Sequence, residues 1–132
     1  MLGVYTLICI VGYVASGVGE GSKYVSMYMD FIEKAIGERP YPGTLNIVVH
    51  PAFRRYIERL LMSKPFRVIP PPSEGLCEAY VWRAKLLGDI VYVVRPRKTV
   101  HPPSVLEILS KHFLRGRHRL RDGDAVELCI EI

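Results

Sequence analysis

Val126, Leu128, Ile130 and Ile132 alternate with Ala125, Glu127, Cys129 and Glu131. That period of two predicts a strand over residues 124–132 with one face in the core. Asp122 and Gly123 supply the turn before it. Apolar or β-branched runs bounded by Pro, Gly or Ser predict further strands over residues 4–14, 44–49, 76–82 and 89–94. The helical period occurs twice. Tyr28, Phe31, Ile32, Ala35 and Ile36 fall on one face and Gly37 follows at the usual stop. Pro51, Phe53, Tyr56, Ile57, Leu60 and Leu61 repeat the spacing before Pro65 ends it. Many short strands with few helices point to a small β-barrel or a two-layer α+β fold rather than a parallel sheet with alternating helices.

The 132 residues suffice for a single domain over 1–132 and exclude the large nucleotide-binding enzyme folds. No repeat or long linker divides them. Eighteen Lys and Arg against thirteen Asp and Glu leave a charge of +5, which favours an anionic partner without choosing between nucleotide, nucleic acid and acidic surface. Residues 1–19 are uncharged but lack a cationic start, and Thr6, Ser16 and the glycines dilute them below what a membrane span requires, so no membrane partner is expected. Cys9, Cys77 and Cys129 are odd in number and far apart, a pattern that encodes neither a disulfide framework nor a zinc knuckle. A reducing, cytoplasmic location follows from that reading.

Three segments carry candidate chemistry. Gly12-Tyr13-Val14-Ala15-Ser16-Gly17-Val18-Gly19-Glu20-Gly21 sets alternate glycines directly after an apolar strand. Such a run can bring backbone N–H groups close to a phosphate, or simply turn between strands. In Pro40-Tyr41-Pro42-Gly43-Thr44-Leu45-Asn46, extended backbone would turn Thr44 and Asn46 to one face and Leu45 to the other. Two neutral oxygens suit a hard cation helped by water and phosphate, or serve the turn itself. Ser104 and Glu107 match a helix-starting capping box. If residues 105–109 are extended instead, the Glu107 carboxylate faces a cleft and can take a proton. Residues 111–121 then add Lys111, Arg115, Arg117, Arg119 and Arg121 with His112 and His118, a basic face able to meet phosphates.

Taken together, these segments resemble the archaeal CTP-dependent riboflavin kinases. The resemblance rests on Ser16-Gly17-Val18-Gly19-Glu20-Gly21, Pro40-Tyr41-Pro42-Gly43-Thr44-Leu45-Asn46, Thr99 with Leu106-Glu107-Ile108, Leu114-Arg115, and Leu120-Arg121-Asp122-Gly123-Asp124, in that order. It runs over residues 10–48 and 95–130 and leaves the middle to local pattern. It implies a mainly β fold, a small six-stranded cradle-loop β-barrel with one or two short helices, in which residues 105–109 are strand. It also implies transfer of the γ-phosphoryl group of CTP to the 5′-hydroxyl of riboflavin, giving FMN and CDP. Carried over by position, Gly12, Tyr13, Val14, Ala15, Ser16, Gly17, Val18, Gly19, Glu20 and Gly21 would hold the nucleotide with His112, Phe113, Leu114 and Arg115. Thr44 and Asn46 would hold Mg²⁺, Thr99 and Glu107 the flavin, and Glu107 would act on the hydroxyl. A monomer is expected, with no nucleic-acid partner. The alternative is a nucleic-acid-binding regulator of the related swapped-hairpin barrel type.

Overall fold

The structure is a computed structural model that describes residues 6–17 and 20–132. Val18 and Gly19, both in the first candidate segment, lie outside the described residues. The described residues form seven strands and three helices, in the order β1 (Leu7–Ala15), α1 (Glu20–Ile36), β2 (Leu45–Val49), α2 (Arg54–Met62), β3 (Arg67–Ile69), β4 (Ala79–Leu86), β5 (Asp89–Pro96), β6 (Val105–Leu109), α3 (Leu114–Arg117) and β7 (Ala125–Glu131). A single 3₁₀ turn, Pro51–Phe53, leads into α2.

All strand pairs are antiparallel, in the order β3-β4-β5-β6-β2-β1-β7, and β7 pairs again with β4. Six strands therefore close into a ring. The short β3 sits outside it on the first half of β4, while β7 takes the second half. Ring closure removes the exposed edges that an open sheet would leave. The six strands match the barrel expected from the resemblance, whereas the helices exceed it: α1 alone has 17 residues.

The alternation predicted for the last strand is observed, with Val126, Leu128 and Ile130 buried inside the ring. There they meet Ile8, Ile10, Ile47, Trp82, Val91, Val93 and Ile108, and α2 adds Ile57 and Leu60. A second apolar cluster lies on the outer face. Val25, Tyr28, Ile32 and Ile36 of α1, spaced three and four apart, pack against Ile69, Val81, Tyr92, Val94 and Leu109. Gly37, at φ +81°, ends α1 in the left-handed conformation expected of a residue in that place. Strands β4 and β5 join through Leu87 and Gly88, both at positive φ, the geometry of a tight hairpin.

Two sequence expectations are corrected. Residues 105–109 form strand, so Ser104 and Glu107 do not cap a helix; pairing with β2 and β5 on both sides outweighs the local pattern. Cys9 and Cys129 are disulfide-bonded, against the expectation of no disulfide. They are 120 residues apart in sequence, yet the β1–β7 register makes them direct partners with Cα atoms 4.0 Å apart. That pairing removes the cysteine argument for a reducing compartment. None of the described helices is long and apolar enough to cross a membrane.

Candidate active site

One transverse row of the sheet organises the site. Val94, Glu107, Asn46 and Ala15 are successive register partners across β5, β6, β2 and β1. Because side chains alternate, Leu45 and Ile47 enter the ring interior with Leu106 and Ile108, and Asn46 and Glu107 project from its outer face. Both are largely covered there: Asn46 is 7% exposed and the Glu107 side chain 12%. Thr44, just before β2, donates from Oγ1 to Oε1 of Glu107 at 3.3 Å.

The glycines of the first segment belong to this arrangement. A Cβ placed at Gly17 would fall on the Asn46 amide nitrogen, and one at Gly21, in the first turn of α1, on the Thr44 hydroxyl. A side chain at either glycine would have to displace one of the site's own side chains. Gly12, Tyr13 and Val14 lie within β1 away from the cleft, and Val14 is buried in the ring. Ala15, Ser16, Gly17 and Gly21 do line the cleft. The backbone of Glu20 is the first residue of α1.

The cleft encloses about 360 Å³ and is also lined by Thr44, Asn46, His101, Glu107 and Arg115. Arg115 crosses from α3 to donate from Nη2 to the Ala15 carbonyl (3.1 Å) and to Asp122 Oδ1 (2.7 Å). The Ser16 hydroxyl donates to the other carboxylate oxygen of Asp122. These contacts hold the Asp122 carboxyl below its usual range, Ser16 first and Arg115 next. Val14 and the turn at Gly123 and Asp124 also exchange backbone hydrogen bonds, so the closing motif of the sequence anchors the end of β1.

On one side, sharing Thr44 and Arg115 with the cleft, is a cavity of about 100 Å³ whose wall includes His112, Leu114 and the stacked rings of Tyr41 and Phe113, 5.0 Å apart. The His112 N–H donates to Ser110 Oγ, and the Tyr41 N–H to the Ser110 carbonyl, which fixes both flanks. On the other side lies a larger and mainly apolar cavity of about 630 Å³, lined by Tyr24, Met27, Tyr28, Leu76, Val100 and Thr99 among others. His101 and Glu107 line both the polar cleft and this apolar cavity. Tyr24 and Tyr28, stacked at 4.3 Å, form part of its wall. The Tyr28 hydroxyl donates to the Cys77 carbonyl at 2.9 Å, whereas the buried Tyr24 hydroxyl has no partner among the described residues.

Burial pushes the Glu107 carboxyl above its ordinary range, opposed by the nearby His101, the Thr44 hydrogen bond and Arg95. A carboxyl raised in this way is a stronger base than an exposed one. The Asn46 Oδ1 is buried without a hydrogen-bond partner among the described residues. Together with Thr44 Oγ1 it offers oxygen donors only, the chemistry of a hard cation rather than a soft one. Among the described residues no group of three His, Cys, Asp or Glu could hold a metal by itself, so any cation here would complete its shell from water or substrate.

The sequence-predicted residues Ala15, Ser16, Gly17, Gly21, Thr44, Asn46, Thr99, Glu107 and His112 to Arg115 thus line one connected set of cavities. Sequence reasoning missed Tyr24, Tyr41 and His101 as site residues. Tyr24 lies before the apolar stripe that the sequence predicts from Tyr28 onwards, and a lone His before two prolines carries no spacing signal.

Comparisons with known proteins identify the family. Residues 14–130 match the model of the family labelled CTP-dependent riboflavin kinase and described as "Domain of unknown function DUF120". A protein of Staphylothermus marinus named riboflavin kinase is 40% identical over 119 residues, covering 90% of this chain and 88% of that one. A riboflavin kinase of Aeropyrum pernix is 37% identical over 118 residues, with 87% and 89% covered. One of Pyrobaculum arsenaticum is 42% identical over 127 residues, and there the chain spans only 60% of the relative's length. The chain belongs to the CTP-dependent riboflavin kinase family.

Proposed function

We propose that this chain transfers the γ-phosphoryl group of CTP to the 5′-hydroxyl of riboflavin, forming FMN and CDP. The observation that carries this reading is the meeting of a polar cleft and an apolar cavity at Glu107. A flat tricyclic ring suits the apolar cavity walled by Tyr24, Tyr28, Leu76 and Val100, whose volume lies in the normal range for ligand sites. With the ring there, the ribityl chain reaches Thr99 and Glu107. The triphosphate would occupy the polar cleft beside Ser16, Gly17, Gly21 and Arg115, with its base near Tyr41 and His112 to Leu114.

Phosphoryl transfer needs alignment and charge neutralisation more than covalent chemistry. Arg115 supplies one fixed positive charge, held in place by Asp122. Thr44 and Asn46 would hold Mg²⁺, and their oxygen-only donors and the unpartnered Oδ1 fit that ion. When bound, the ion neutralises phosphate charge as the group transfers. Glu107 orients the acceptor hydroxyl and takes its proton.

The basic segment gives little support to nucleic-acid binding. Arg117 donates two hydrogen bonds to Asp89, His118 contacts the same carboxylate, and Arg115 is engaged by Asp122. Isothermal titration with CTP, riboflavin and a DNA or RNA oligomer, at two salt concentrations, tests the reading. Saturable binding of CTP and of riboflavin supports it. Tight, salt-sensitive oligomer binding without CTP binding would refute it.

A further inference from the structure

His101 is assigned no role by the resemblance, yet it sits where the polar cleft and the apolar cavity join. Its Nε2 lies 3.9 Å from Oε1 of Glu107, and both side chains are mostly covered. Oε1 is also the atom that accepts from Thr44. No hydrogen bond from the described residues reaches Oε2. One carboxylate oxygen is thus hydrogen-bonded by Thr44 and flanked by the His101 ring, and the other is left for a ligand.

The placement of the imidazole is built rather than incidental. The His101 N–H donates to Thr99 Oγ1 at 3.1 Å, and its carbonyl accepts from Arg95 Nη2 at 3.2 Å. Pro102 and Pro103 follow, which restricts the backbone on the C-terminal side. Arg95, on β5, thereby ties the 99–101 loop to the sheet that carries Glu107.

We infer that His101 is a positioning residue for phosphoryl transfer: with Thr44 it fixes Oε1 of Glu107, so that Oε2 meets the acceptor hydroxyl. The inference rests on the kinase reading above. In the step it serves, a lone pair of the riboflavin 5′-oxygen forms the new bond to the γ-phosphorus. The bond from that phosphorus to the β,γ-bridging oxygen breaks, its electrons leaving with CDP, and the hydroxyl proton passes to Oε2. His101 neither gains nor loses a proton. Its contribution is orientation, which matters because a carboxylate free to rotate spends less time with Oε2 in hydrogen-bond reach.

The test is a double-mutant cycle on FMN formation, with riboflavin and CTP affinities measured separately. His101→Ala is expected to lower kcat by on the order of tenfold or more, with both affinities within about threefold of the parent. His101→Gln, which keeps a polar side chain of similar reach beside Oε1, should recover part of the loss. In the Glu107→Gln background, His101→Ala should cost almost nothing further, because the residue it positions is already disabled. Equal losses in the two backgrounds, or a kcat unchanged by His101→Ala, would overturn the inference while leaving the kinase reading intact. A wild-type protein that makes no FMN would overturn both. Thermal melting of each variant separates these effects from misfolding, and His101→Gln supplies the comparison if the alanine variant melts early.

Discussion

Asn46 and Glu107 are direct partners across the β2–β6 pair and stand on the outer face of the ring, one with an unpartnered buried oxygen and the other with a carboxyl raised by burial. A metal-ligand candidate and a candidate proton acceptor are thus set side by side by sheet register alone. Glu107→Gln keeps the shape and the Thr44 contact but removes the base. Riboflavin binding should stay within about tenfold while turnover falls by on the order of a hundredfold. Normal turnover with a lower melting temperature would mean that Glu107 serves the fold only.

Gly17 and Gly21 make room for Asn46 and Thr44, so alanine at either glycine should act through those side chains. Gly17→Ala and Gly21→Ala are expected to lose most turnover and to need more Mg²⁺ for what remains, as are Thr44→Val and Asn46→Leu. A Mg²⁺ titration of initial rates checks this. Variants with the parent's rate at every Mg²⁺ concentration would remove this quartet from the metal site.

How far the sequence disclosed this arrangement differs by element. The last strand and the apolar stripe of α1 were readable because their periods repeat several times within one element. Strand β3 has three residues between prolines, too few for any period, and α1 begins earlier than its stripe suggested because Gly21 reads as loop. The strand character of residues 105–109 came from family resemblance, since the local pattern favours a helix start and only the neighbouring strands override it. The Cys9–Cys129 bond and the approach of Gly17 to Asn46 depend on register between distant segments, which spacing along the chain does not encode. Thr44, Asn46 and Glu107 were legible as candidates; that His101 joins them was not, because nothing local marks it.

Arg115 and Arg117 should separate cleanly. Arg115→Ala removes the charge in the cleft and the clamp on Ala15, so CTP affinity should fall. Arg117→Ala should leave CTP binding near the parent's value and act on stability through Asp89, whose carboxyl Arg117 and His118 hold at about 2. A carboxyl lowered on folding stabilises the protein above its unfolded value of about 4 and loses that contribution as pH falls towards the folded value. The melting-temperature gap between parent and Asp89→Asn should therefore be full at neutral pH and close between about pH 4 and pH 2. A gap that persists below pH 2 would show that the pair is not its source.

Tyr24→Phe removes a buried hydroxyl that has no partner among the described residues. Leaving such a group unsatisfied costs about 1–3 kcal/mol, so the variant should melt at the parent's temperature or a few degrees higher in the absence of substrates. A drop of several degrees would reveal a partner for that hydroxyl.

The central claim is that the cavities joined at Glu107 assemble a riboflavin kinase driven by CTP. Incubating the purified protein with riboflavin, Mg²⁺ and each of the four common nucleoside triphosphates in turn, and following FMN by chromatography, tests it most directly. The expected result is FMN with CTP, matched by CDP in equal amount, and far less with the other three. No FMN with any nucleotide would contradict the kinase assignment, and FMN at equal rates from all four would contradict the choice of CTP.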